Sequence, residues 1–258
     1  MPTPLRTVAL SAFVPVAMAA AGATFAAFRP PGLQLRSAIQ HFAAGVVFSV
    51  VAVELLPDVT RVHDPVEIGW TFAAGVALML LLRRLAERAE GGATDVERPN
   101  PGGTASAPAA DASGLVGPSA GQLVAVGLDI LIDGLLVGIA FAAGGREGLL
   151  LTAALSLELL SLGLAVASTL AGGGRWRTVL IPTGLSLLLV VGALVGSTVL
   201  RNASAHTLAG VLSFGAAALL YLVTEELLVE AHEAGDTTAA TAMFFAGFLL
   251  FLLLGMAE

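Results

Sequence analysis

Asp129, Asp133 and Glu158 are carboxylates set inside two consecutive apolar stretches, each long enough to cross a membrane. An ionised group near the bilayer centre costs roughly 2.5–3.5 kcal/mol on insertion scales, so such residues usually line a polar pathway. Asp129 and Asp133 are four residues apart, which stacks them on one face of a helix. Glu158 lies at a similar depth in the next stretch, entered from the other side, so the three can converge. Ser161, one turn beyond Glu158, offers another oxygen. Two aspartates at this spacing repel when ionised, and a bound cation or a proton must compensate. His41, nearer the inner end of the second stretch, is the one basic residue close to that depth, so a divalent cation is the simplest counter-charge. An all-oxygen site suits Mn²⁺, Mg²⁺, Ca²⁺ or Fe²⁺. Zinc also accepts carboxylates but usually takes nitrogen or sulfur as well. The structural alternative is a carboxyl pair kept protonated and hydrogen-bonded for helix packing.

The elements that must position these residues are membrane helices. Hydrophobic residues make up 57% of the chain and charged residues 12%, with a mean hydropathy of +0.90. Soluble domains carry about twice that charge. The apolar residues fall in blocks of ~20, the helix length that crosses ~30 Å of hydrocarbon. Breaks at charges, prolines and glycines delimit spans at about 7–28, 36–56, 66–86, 120–143, 148–171, 178–200, 206–229 and 238–257. The first resembles a signal peptide, but its apolar run continues to Phe28, so it reads as an uncleaved span. The long connection at 87–119 is rich in Gly, Ala, Pro and Ser and reads as a disordered cytosolic loop. The expected fold is an all-α polytopic membrane protein, a single transmembrane domain over 1–258.

All twelve positive residues are arginine, and there are no cysteines. Thiolate metal sites, disulfides and thiol nucleophiles are therefore excluded. The net charge of -7 is spread over loops and helix ends, which disfavours nucleic acid as a partner and leaves the lipid bilayer as the surrounding medium. With the N-terminus outside, the inner loops hold Arg29, Arg36, Arg83, Arg84, Arg88, Arg98, Arg175 and Arg177. The outer side then holds Arg6, Arg61, Arg146 and Arg201. This bias favours both termini outside. Trp70 and Trp176 fall at span ends, as interfacial anchors do. Pairs of small residues four apart, Gly134/Gly138 and Gly192/Gly196, let helices approach closely and are compatible with a homodimer.

Two internal echoes suggest an inverted repeat. In the fourth span Asp129 stands five residues before Gly134-Leu135, and in the fifth Glu158 stands five before Gly163-Leu164. The second span ends Glu54-Leu-Leu-Pro57-Asp58 and the seventh ends Glu226-Leu-Leu-Val-Glu230. Inverted repeats around a midplane site are a recurring plan of alternating-access carriers, here arranged as three helices, two, then three. Acidic clusters at the two ends would attract cations into a vestibule. Glu54, Asp58, His63, Asp64 and Glu67 form one, and Glu225, Glu226, Glu230, His232, Glu233 and Asp236 the other. Charge runs at span ends are as often solvated caps, and a lone intramembrane histidine such as His41 is more often a hydrogen-bonded core residue than a ligand.

The chain resembles the ZIP family of divalent-metal transporters along nearly its whole length. The resemblance rests on His41-Phe-Ala-Ala-Gly45 through Asp58, Asp133-Gly134 through Phe141, Gly163 through Ala167, and Gly215 through Glu230. It implies eight spans with both termini outside, a long cytosolic loop after the third span, and a metal site between the fourth and fifth. Where that family carries histidines in these two spans, this chain has Asp129 and Glu158; Ile130, Leu159 and Leu162 replace further polar ligands. The resemblance thus implies a secondary transporter of a divalent metal (Zn, Mn or Fe class) in a prokaryotic cell membrane. The metal would be the transported substrate rather than a tightly bound cofactor. No nucleotide-binding loop, Ser/His/Asp arrangement or His-Glu-x-x-His is present, so an enzyme is not expected. The alternatives are a proton or monovalent-cation pathway through the same carboxylates, or a family member that no longer transports.

Overall fold

A computed structural model describes residues 5–61, 64–91, 120–170, 174–232 and 237–256. Among the described residues there are helices and no strands, and eight helices are long and apolar enough to cross a membrane. They are consistent with an integral membrane protein. The first is α1 (Leu5–Phe28). The second, Leu33–Thr60, is built from α2 (Leu33–Val50), a π-helical turn π1 (Val51–Leu55) and α3 (Leu56–Thr60). Then come α4 (Pro65–Gly91), α5 (Ala120–Ala143), α6 (Gly145–Thr169) and α7 (Arg175–Val199). The seventh joins α8 (Ala205–Leu222), π2 (Val223–Leu227) and α9 (Leu228–His232), and α10 (Thr238–Met256) is last.

Local chemistry explains several boundaries. Asp64 Oδ1 accepts from the backbone N–H groups of Val66 and Glu67 at 3.1 and 3.2 Å, capping α4. Ser204 Oγ accepts from Thr207 N–H at 3.1 Å to start α8, and Thr237 Oγ1 accepts from Ala240 N–H at 3.1 Å to start α10. Two boundaries lie more than three residues from the sequence expectation. The second span, expected to end near 56, runs to Thr60, because Pro57 falls just after the widened turn π1. There Leu56 N–H reaches back five residues to the Val51 carbonyl, relieving the clash a proline ring imposes on the turn before it. α4 continues to Gly91, so 87–91 are helical rather than loop. The rest of the expected loop, 92–119, lies outside the described residues.

Glycines seal the closest helix pairs. Lipid tails are as apolar as leucine, so membrane helices associate through close van der Waals contact. A Cβ on Gly134 or Gly138 would collide with the carbonyl oxygen of Leu189 or of Ala193, on α7. Gly192 and Gly196 meet the Leu131 and Leu135 carbonyls of α5 in return. Gly22 and Gly163 join α1 to α6 in the same way, and Gly45 and Gly247 join α2 to α10. Gly75 brings α4 against α8, where Ser213 Oγ also donates to the Ile68 carbonyl at 3.1 Å. The core between these pairs holds Ile130, Phe141, Leu151, Leu155, Leu159 and Leu189, all fully buried. Much of α4 and α10 faces outward, and Trp70 and Trp176 are 75% and 80% exposed near helix starts.

Candidate cation-binding site

Asp129 and Asp133 stand near the middle of α5, and Glu158 near the middle of α6. The helical period puts both aspartates on the face of α5 that meets α6. One carboxylate oxygen from each of the three residues lies within 4.8 Å of the others. Two oxygens on one ion can be no farther apart than two metal–oxygen bonds, about 4.0–4.4 Å for zinc and about 4.6–5.2 Å for calcium. The three groups are therefore near enough for a small inward adjustment to bring them onto a single cation. Asp133 and Glu158 are each only 2% exposed, and Asp133 Oδ2 and Glu158 Oε2 have no hydrogen-bond partner among the described residues. A buried charged oxygen without a partner is costly, so this pair is poised to accept a cation or a proton. Ser161 is also buried, one turn after Glu158 on α6.

The residues expected to line the ends separate into distinct environments. Glu54 and Glu226 are each the fourth residue of a π-helical turn, π1 and π2. Glu226 is exposed. Its neighbour Glu225 accepts a 2.8 Å ion pair from Arg83 of α4. Glu54 is largely buried and is engaged by Arg146, from the first turn of α6. Asp58 pairs with Arg61 at 2.8 Å on its own helix end. Glu230 lies in α9, and its side chain is outside the described ones. His63, Glu233 and Asp236 also lie outside the described residues. Asp64 is occupied as a helix cap, and Glu67 sits 3.8 Å from His206.

His41 is not part of the three-carboxylate cluster. It is buried, its Nδ1 lies 2.9 Å from the Ser37 carbonyl one turn back, and its ring packs 4.9 Å from that of His232 on α9. His232 Nδ1 is likewise held by its own helix, at the Leu228 carbonyl. Ser37 Oγ donates to the Ala231 carbonyl at 2.7 Å and ties α2 to α9 beside the two rings. The arginine partners of Glu54 and Glu225, and the histidine pair, are features the sequence reading missed. Each joins residues more than 90 positions apart, and no local pattern marks such a pairing. Compared with known proteins, the chain matches no family model and no curated protein.

Proposed function

We propose that this chain is a secondary carrier for a divalent metal cation of the Zn, Mn or Fe class, related to the ZIP transporters it resembles. The observation that carries the reading is the convergence of Asp129, Asp133 and Glu158 at mid-span, with two of their oxygens buried and unpartnered. The metal is substrate: it enters one end, is held by these three carboxylates with Ser161 beside them, and leaves by the other. No covalent chemistry is required of the protein. The carrier sits in a prokaryotic cell membrane with both termini outside and the 92–119 segment in the cytosol, and its outward faces accommodate a homodimer.

Alternating access through a 3+2+3 inverted repeat fits the construction of the two gating spans. The second and seventh spans have the same build, an 18-residue helix, a five-residue π turn and a five-residue helix. Their acids Glu54 and Glu226 fall at the same place in that build. The packing partners correspond as well. Exchanging the first three spans with the last three, and α5 with α6, turns the α1–α6 contact into the α7–α5 contact. It likewise turns the α2–α10 contact into the α8–α4 contact, and the structure has all four pairs.

Uptake into proteoliposomes, from a panel of Zn²⁺, Mn²⁺, Fe²⁺, Cd²⁺ and Mg²⁺, tests the proposal. Saturable uptake of one ion, lost in Asp133→Ala while the protein remains monodisperse, is the expected result. Flat traces for every metal from folded protein would refute it. A proton pathway is the second reading, favoured by the buried oxygens of Asp133 and Glu158, which a proton would satisfy as well as a metal ion. It predicts acidification of the vesicle lumen under an imposed potential with no metal saturation.

A further inference from the structure

The two π-turn acids, equivalent in the proposed repeat, are in opposite states. Glu54 is 11% exposed, whereas Glu226 is accessible. What holds Glu54 in is specific. Arg146 Nη2 lies 3.4 Å from Glu54 Oε1, and the same nitrogen donates to the carbonyl of Gly255 in the last turn of α10. A Cβ on Gly255 would lie only 2.7 Å from Glu54 Oε1 and 3.8 Å from Val53 Cγ1, so glycine is what lets α10 close over the carboxylate. One guanidinium therefore ties three separate elements together, π1, the start of α6 and the end of α10. A guanidinium suits this task because its rigid fork can bond a carboxylate and a carbonyl at once.

At the other π turn the corresponding arrangement is looser. Arg83 of α4 pairs with Glu225 at 2.8 Å, and both partners are about half exposed, at 52% and 47%. Both acids of π2, Glu225 and Glu226, are exposed where Glu54 is covered. We infer that Arg146 is a positioning residue that latches Glu54 under α10 and so shuts the α2 end of the cation path while the α8 end is open. Opening the latch frees Glu54 to receive the cation, and the two ends exchange states. This inference rests on the transport reading, but its test uses no metal, so its failure is distinguishable from a failure of uptake.

The chain has no cysteine, so a single introduced thiol reports its own accessibility. Val53→Cys places the reporter on the latched seam, and Thr224→Cys, at an exposed position of π2, reports the opposite end. Each is placed in the parent, in Arg146→Gln and in Gly255→Ala, and the rate of reaction with a charged, membrane-impermeant maleimide is measured. In Gly255→Ala the added methyl pushes Glu54 away from Arg146 without removing the arginine, which separates the latch from a general effect of its charge. Size-exclusion profiles confirm that each variant is folded. The thiol on the latched seam should react about tenfold faster in both variants, the population shift expected when an ion pair and a charge-assisted hydrogen bond are lost together. The π2 thiol should react more slowly in the same two variants, and Arg146→Lys should restore part of the parent pattern. An unchanged rate at the latched seam in either folded variant would overturn the proposal. So would any outcome in which the π2 thiol fails to slow, including a rise at both reporters from general loosening.

Discussion

Replacing Asp133 with asparagine keeps the side-chain shape and removes one charge from a cluster of three, and the effect on stability should change sign with metal. In the metal-free protein each ionised pair at the 4.8 Å limit of the cluster repels by about 3.5 kcal/mol, at an effective dielectric of 20. If one carboxyl of the three is already neutral, Asp133→Asn relieves at most one such pair. For a chain of this size each kcal/mol moves the unfolding midpoint by about 2–4 °C, so relief of one pair at that separation gives about 7–14 °C of stabilisation. With metal the order reverses. A cation at one hundred times its dissociation constant stabilises the parent by about 2.7 kcal/mol, or about 5–11 °C. The variant, lacking one anionic ligand of three, should gain less than about 2 °C under the same conditions. Thermal unfolding of the detergent-solubilised protein, with chelator and then with Mn²⁺, measures both arms. A variant that is no more stable than the parent in chelator, and that keeps the full metal-induced rise, would refute the electrostatic account of the site.

Four further outcomes are expected. Gly134→Ala should destabilise the fold by the roughly 1–3 kcal/mol typical of overpacking, because its Cβ would collide with the Leu189 carbonyl oxygen. Gly69→Ala, with nothing within 4 Å, should raise stability by up to about 1 kcal/mol of helix propensity, and an equal drop in both would contradict the packing of α5 on α7. Metal binding should weaken as pH falls from neutral, since protons compete for the same carboxylate oxygens; calorimetry in buffers of different ionisation enthalpy should detect protons released on binding, and none released would argue against a carboxylate site. Arg83→Ala should cost less than about 1 kcal/mol in thermal unfolding, because its ion pair with Glu225 is half exposed, and a loss several times larger would mark that pair as structural.

The parts of this molecule legible in the sequence are those set by period and composition. Uninterrupted apolar blocks of membrane length mark the spans, since little else is stable as an exposed segment in lipid. The four-residue spacing of Asp129 and Asp133, and the matching depth of Glu158, are enough to anticipate that the three converge. What escapes depends on contacts between distant segments. Proline at 57 hints at a disturbed turn, but π2 forms with Val229 in the equivalent place, so no residue type announces it. Arg146 and Arg83 read only as topology markers, because a sequence shows where a cation stands along the chain and not which carboxylate faces it. The extension of α4 to Gly91 is hidden by its charged residues, which look like loop but are good helix formers.

The glycine contacts described above divide the bundle mechanically. α5 is sealed to α7, and α6 to α1, by backbone touching backbone, so these four helices cannot slide past one another without losing that contact. The two helices that carry Asp129, Asp133 and Glu158 thus belong to one stiff block, and the carboxylate cluster can survive a large rearrangement undistorted. Any movement is pushed outward to the seams with α2 and α8, where the π turns already carry a looser hydrogen-bond ladder. Amide exchange would register this as a slow quartet bordered by two fast lines, with the carboxylate cluster as still as the core around it.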